Sequence, residues 1–176
     1  SGDASLRLVY GELVQPVNTG LVPNYADILP ELKNQPWNTV SDVNYGIPHG
    51  RGANLLLYPT KDYPTPPDSW ADMFEADSPL KGQVAPYGDA IYIADAAVYL
   101  MATQPDLGIK NPYALDQTQF DAAIALLEQQ KPLISEYWSD YLKQMAAFKE
   151  GTTVASTTWQ VVANAVAAEG TPIEAV

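Results

Sequence analysis

Apolar residues recur with helical spacing through the second half of the chain, and in short proline-broken runs through the first. Phe120, Ala123, Ile124 and Leu127 fall at i, i+3, i+4 and i+7, the spacing of one helix face. Asp116 and Gln119 precede them in acid-x-x-Gln form, a capping box, so the pattern predicts a helix running to about Lys131. Tyr141, Met145 and Phe148 mark a second amphipathic helix over 140–150, closed by Gly151 at the C′ position. The run from Ala90 to Thr103 is apolar nearly all round, which predicts a central helix buried over most of its circumference. Small residues from Val161 to Ala168 make a further helix, stopped by Gly170. Ser69 and Asp72 have capping-box spacing ahead of a short helix to Glu75, and residues 4–10 and 23–32 read as helical, the latter broken by Pro30.

Between these lie strand candidates: 43–47, 53–58 (ANLLLY), 82–87 (GQVAPY), the β-branched 152–158 (TTVASTT) and 171–176. Strands separated by helices predict an α/β fold with a largely parallel sheet flanked by helices. Such sheets take ligands at the carboxyl ends of strands. The turns to inspect are therefore Tyr87-Gly88-Asp89, Thr158-Trp159 and the loop 48–52.

Composition narrows the chemistry. The chain has 176 residues, 47% of them apolar, with 21 acids, 9 bases, one histidine and no cysteine. That length and apolar share suit a folded domain with a real core. A net charge of -12, with two arginines and seven lysines that do not cluster, argues against nucleic acid as a partner. No cysteine and one histidine leave no thiolate chemistry, no disulfide and no Cys- or His-based metal site. No apolar run approaches the roughly 18 residues of a membrane span. There is no leader pattern, so any secretion signal has been removed or lies outside this sequence. No Ser-His-Asp order, GxSxG, P-loop or GxGxxG is present. The pairs Asp72/Glu75 and Glu136/Asp140 fall on helical stretches rich in surface residues, where solvated faces explain them better than a glycosidase dyad. The residues give no sign of an enzyme, and none of a cofactor.

Each candidate side chain has two open roles. Asp89 can cap the helix that follows it or serve as counterion to a cationic ligand, and its two oxygens permit both. Trp159, at a strand end, is either a core tryptophan or a ring face against an ammonium or alkyl chain. Tyr92, three residues beyond Asp89 and so near its face, packs in the core or reaches the cleft. Arg51, between two glycines beside His49, is a solvated loop residue or a bidentate clamp for a carboxylate. His49 alone, with no second ligand nearby in sequence, reads as an ordinary hydrogen-bonding residue.

Three segments, VNYGIPHGRGANLLLYPT (43–60), PTPPDSWADMFEADSPLKGQVAPYGDAIYIADAAVYLMAT (64–103) and AFKEGTTVASTTWQVVANAVAAEGTPIEAV (147–176), resemble in order and spacing the extracellular solute-binding proteins of ABC transporters. The resemblance is to the spermidine/putrescine-binding group. It implies a type II periplasmic-binding-protein fold, two lobes closing by a hinge, of which this chain is a central part. Residues 1–45 would be the end of the first lobe plus a hinge crossover, and 46–176 the second lobe ending at the return crossover. It further implies a periplasmic or extracellular protein, membrane-associated if a lipid-anchor cysteine lies upstream. The implied partners are a small amine ligand and a membrane permease, and the full-length protein would be a monomer.

By the same resemblance Asp89 matches an aspartate that pairs with a ligand amine, and Trp159 a tryptophan against which the polyamine chain packs. Ser1 and Asp3 fall in a first-lobe loop that supplies a serine and a tyrosine, so Asp3 replaces an aromatic. Tyr92 stands where polyamine binders carry a glutamate. A buried ammonium needs nearly one carboxylate each, so loss of that glutamate, with Arg51 near the cleft, would suit a smaller amine or a zwitterion such as an amino acid. The expected ligand is a polyamine in a different register that uses Asp3, or that smaller amine. A ferric-ion receptor of the same fold would want paired tyrosines, and Tyr87 and Tyr92 are not adjacent. A transferase resembling porphobilinogen deaminase would need a cysteine that the chain lacks.

Overall fold

The computed structural model describes residues 2–63 and 65–176. Helix α1 (Gly2–Tyr10) opens the chain. Single 3-10 turns follow at Thr19–Leu21, Pro23–Tyr25 and Pro30–Leu32. Proline stands first in the last two, where its fixed φ suits a turn and its missing N–H costs nothing. Strands β1 (Thr39–Val40) and β2 (Val43–Asn44) form a small hairpin whose turn residues, Ser41 and Asp42, both have positive φ, 50° and 62°. That is the geometry of a two-residue turn matched to strand twist.

The remaining elements build one unit. Strand β3 (Asn54–Pro59) is followed by α2 (Ala71–Phe74), β4 (Val84–Ala85) and α3 (Tyr92–Thr103). Then come α4 (Gln117–Gln130), α5 (Tyr141–Glu150), β5 (Ala155–Trp159), α6 (Gln160–Ala168) and β6 (Ile173–Ala175). The sheet order is β4-β5-β3-β6. The alternation of helix and strand predicted a largely parallel sheet, and the sheet is instead mixed. β4 pairs with β5 in parallel, but β3 runs antiparallel to both β5 and β6. The long connections between strands fixed the helices that cover the sheet but not the direction in which β3 enters it.

Period-two alternation divides the core. Leu56 faces a cluster with Met73, Phe74, Tyr92, Ala96, Leu100 and Leu133, under α2, α3 and α4. Its neighbour Leu57 faces Phe148, Val162, Ala163 and Val166, under α5 and α6. The α4 capping box forms as the sequence predicts, with Asp116 and Gln119 bonded reciprocally. Gly151 and Gly170 end their helices at φ 73° and 83°, conformations that only glycine adopts without strain. The spacing of Ser69 and Asp72 makes no capping box. Ser69 Oγ accepts from Ala71 N, while Asp72 takes the Tyr63 hydroxyl.

Two helices bury most of the face that their apolar spacing predicts, Phe148 with Met145 in α5 and Ala123 with Leu127 in α4, but each is rotated so that one predicted position is exposed and a glutamine is buried. In α5 Tyr141 is exposed and Gln144 is buried, and in α4 Phe120 is exposed and Gln130 is buried. The sheet explains the first case. Strand β5 carries Ser156, Thr157 and Thr158, all buried, and buried hydroxyls and carbonyls need partners. Gln144 supplies them: Nε2 donates to Ser156 Oγ and to Thr157 O, both at 2.6 Å, and Oε1 accepts from Thr158 Oγ1 at 3.1 Å. Ser156 Oγ in turn donates to Ala85 O of β4. Gln144→Leu keeps the volume but strands these groups, and should lower stability by about 2–4 kcal/mol in equilibrium urea unfolding. A change below about 0.5 kcal/mol would show that the network contributes nothing net.

Candidate functional site

The register of β3 against β5 places Asn54 opposite Trp159. Beyond Trp159 the chain turns directly into α6, and the tryptophan stays 39% exposed at the carboxyl end of the interior strand β5. Alongside it the segment after β4 is tied down twice. Tyr87 N donates to Thr157 Oγ1 at 2.9 Å, and Gly88 N donates to Trp138 O at 2.7 Å. Glycine suits that second contact, since a Cβ at residue 88 would lie 3.2 Å from both Trp138 O and Tyr137 Cβ, tight enough that a neighbour would have to shift. Trp138 donates from Nε1 to Thr157 O at 3.0 Å and is buried.

Three rings converge as a result. Their centroids are 4.6 Å apart for Tyr87 and Trp138, and 5.3 Å for Trp159 with each of the other two, both of these contacts edge-to-face. Such contacts hold the rings against one another, and Trp159 keeps 39% of its surface exposed. The rings border a cavity of about 440 Å³ that Arg7, Asn54, Asp89 and Asp95 also line. Asp89 sits in the turn ahead of α3, exposed, with one carboxylate oxygen accepting from Ile91 N at 3.3 Å. Asp89 therefore lines the cavity without being the N-cap of α3, a position held by Ile91, which has no side-chain cap.

Asp95 is the residue that sequence reasoning missed. Asn54 Nδ2 donates to its Oδ1 at 2.8 Å, while its Oδ2 is buried without a hydrogen-bond partner among the described residues. Burial pushes its pKa up to about 6, against the opposing effect of the Asn54 amide. One signal was present: it is the single charge in the apolar run 90–103. Trp138 and Arg7 were missed as well, because neither lies near a strand-to-helix turn in the sequence.

Two of the expected site residues, Tyr92 and Arg51, fall elsewhere. Tyr92 is a core residue, 3% exposed, stacked on Phe74 with its hydroxyl accepting from Gln130 Nε2 at 2.7 Å. The helix begins at Tyr92 itself, so Asp89 lies in the preceding turn and the two do not share a helix face. Tyr87 and Tyr92 accordingly do not form a pair. Arg51 and His49 line a different cavity of about 720 Å³, with Trp37, Asn38 and Tyr113. The loop leaves the sheet at Asn54 and lies against the segment around the small hairpin, which takes Arg51 away from the cavity of Asp89 and Trp159. Ser1 and the side chain of Asp3 lie outside the described residues.

The architecture is shared with solved structures. The TpPotD lipoprotein of Treponema pallidum matches at TM-score 0.74 and 18% identity, over 99% of this chain and 52% of that one. The spermidine/putrescine ABC transporter substrate-binding protein PotD of Streptococcus pneumoniae matches at 0.70 and 15%, over 99% and 50%. The binding protein MotA of A. tumefaciens, solved in complex with glucopine, matches at 0.66 and 18%, over 99% and 50%. At these identities the likeness carries the fold, the mixed α/β fold of type II periplasmic binding proteins, and no ligand. The chain spans about half the length of each of these structures. In sequence, residues 1–176 match the family described as bacterial extracellular solute-binding protein.

The isolated carboxylate has a consequence for stability. Because the folded-state pKa of Asp95 is raised from 3.8 to about 6, the native protein holds the extra proton between those values. Its stability therefore falls as pH rises through that window. Asp95→Asn should leave stability unchanged below pH about 4 and raise it near pH 7 by up to about 3 kcal/mol, lessened by the residue's partial exposure. Thermal unfolding across pH 4–8 reads this, and equal pH profiles for the two proteins would refute it.

Proposed function

Because the chain belongs to the bacterial extracellular solute-binding protein family, we propose that the full-length protein captures a small organic amine outside the cytoplasm for an ABC importer. Polyamines of the putrescine and spermidine kind are the leading class. Residues 1–45 would then complete the first lobe and lead through a hinge crossover into the second lobe, 46–176. The carrying observation is one cavity that combines the Asp89 carboxylate with the half-exposed ring of Trp159, itself held by Tyr87 and Trp138. A carboxylate beside an aromatic face is what an alkylammonium needs. The anion takes the charge, and the ring takes the polarised CH and NH edges at about 0.5–2 kcal/mol. No bond is made or broken in this role. Ligand bridging the two lobes stabilises the closed state, and a membrane permease reads that state.

A second reading is favoured by Arg7, which lines the same cavity. An arginine opposite a carboxylate suits a zwitterion, its carboxylate toward Arg7 and its ammonium toward Asp89. Calorimetric titration of the full-length protein with putrescine, spermidine and γ-aminobutyrate separates the two. On the polyamine reading spermidine binds most tightly and Arg7→Ala leaves its affinity intact. On the zwitterion reading γ-aminobutyrate binds best and Arg7→Ala weakens it by roughly tenfold or more. On both, Asp89→Asn costs about tenfold or more and Trp159→Ala about 2–30-fold. Absence of binding by all three ligands, or indifference to Asp89→Asn, would overturn amine capture at this site.

A further inference from the structure

Strand β3 and helix α3 are joined by the hydrogen bond from Asn54 Nδ2 to Asp95 Oδ1, and that bond stands between two cavities. On one side lies the aromatic cavity of Asp89 and Trp159. On the other lies a cavity of about 590 Å³ lined by Trp70, Val98, Tyr99, Ala102 and Tyr113, with Asp68. Asn54 and Asp95 line both. The second cavity exists because α3, apolar nearly all round, is not covered all round: Val98 is 53% exposed and Ala102 is also exposed.

The chemistry of the seam is unbalanced. One oxygen of Asp95 is satisfied by Asn54, and the other is withdrawn from water with no donor among the described residues. A carboxylate in that state carries a charge that its surroundings do not offset, and a cationic group at the seam would do so. The charged groups sharing the two cavities are Arg7 and Asp89 on one side and Asp68 on the other. The second cavity is otherwise aromatic and aliphatic, the lining that an alkyl or aryl substituent prefers.

We propose that Asp95 is a second ligand carboxylate, and that the bound cation is elongated, running from Asp89 across the Asn54–Asp95 seam into the second cavity. One amine lies between Asp89 and Trp159, a second ammonium lies at the seam against the Asp95 carboxylate, and an apolar arm lies among Trp70, Tyr99 and Tyr113. This rests on the amine-capture reading and extends it from a charge to a length and a shape.

The test titrates the full-length protein with n-butylamine, 1,4-diaminobutane and N-benzyl-1,4-diaminobutane at neutral pH. Affinity should rise along that series. Asp95→Asn, nearly the same shape without the charge, should weaken both diamines by roughly tenfold or more and leave n-butylamine within about twofold. Ala102→Trp, which fills the second cavity from an exposed position, should weaken the benzyl compound alone. Circular dichroism checks that both variants fold. If the diamines bind and respond to Asp89→Asn but Asp95→Asn leaves them unchanged, or Ala102→Trp spares the benzyl compound, the extended ligand is wrong and amine capture stands. If none of the three binds, or Asp89→Asn changes nothing, amine capture fails and the extension fails with it.

Discussion

Strand β5 is hydrogen-bonded to β4 on one side and β3 on the other, and its register against β3 decides what stands next to what at its carboxyl end. The pairing of Asn54 with Trp159 brings the start of one strand to the end of another that is a hundred residues away in the chain. A slip of one residue would invert every side chain of β3, sending Leu56 and Leu57 to each other's core. The site therefore shares its geometry with the core, and the same strand pairing holds both.

The polar character of β5 is the second half of that constraint. Serine and threonines on a strand buried on both faces leave hydroxyls that must be satisfied from neighbouring elements. Gln144 does this from α5, Ser156 bonds across to β4, and Thr157 holds both Tyr87 and Trp138. The Thr157 contacts reach directly into the site, because they fix two of the three rings around the cavity. A strand of valines would have kept the backbone carbonyl that anchors Trp138 but lost the hydroxyl that anchors Tyr87.

Against this well-satisfied surround, the site is left incomplete. Asp95 keeps a buried oxygen without a partner among the described residues and Trp159 keeps an exposed ring, both of which work against the stability of the folded chain alone. On the amine-capture reading a bound cation would remove that deficit and so add to the stability of the folded chain. The core clusters on either face of the sheet supply the stability that this arrangement draws on.

Local signals survived folding where a single residue's own chemistry decides the outcome: the Asp116–Gln119 box, the glycines that end α5 and α6, and the proline-led turns of the first segment. The carboxylate and the tryptophan of the cavity were legible too, since both lie at strand-to-helix turns, where ligands gather in α/β folds. Apolar spacing found most of the inward faces of α4 and α5 but missed their buried glutamines, because it cannot see that Gln144 is demanded by hydroxyls on β5 or Gln130 by the Tyr92 hydroxyl and Met73 O. The same blindness placed Tyr92 in the cleft and Arg51 beside it, for sequence proximity says nothing about where a helix begins or which way a loop turns. The sequence by itself determined which segments are helix or strand, which turns are candidates for a site, and that carboxylates and aromatics are the chemistry available. Only the tertiary structure decided the direction of β3, the third ring of the aromatic group, and the isolation of Asp95, because each depends on a pairing between residues far apart in the chain.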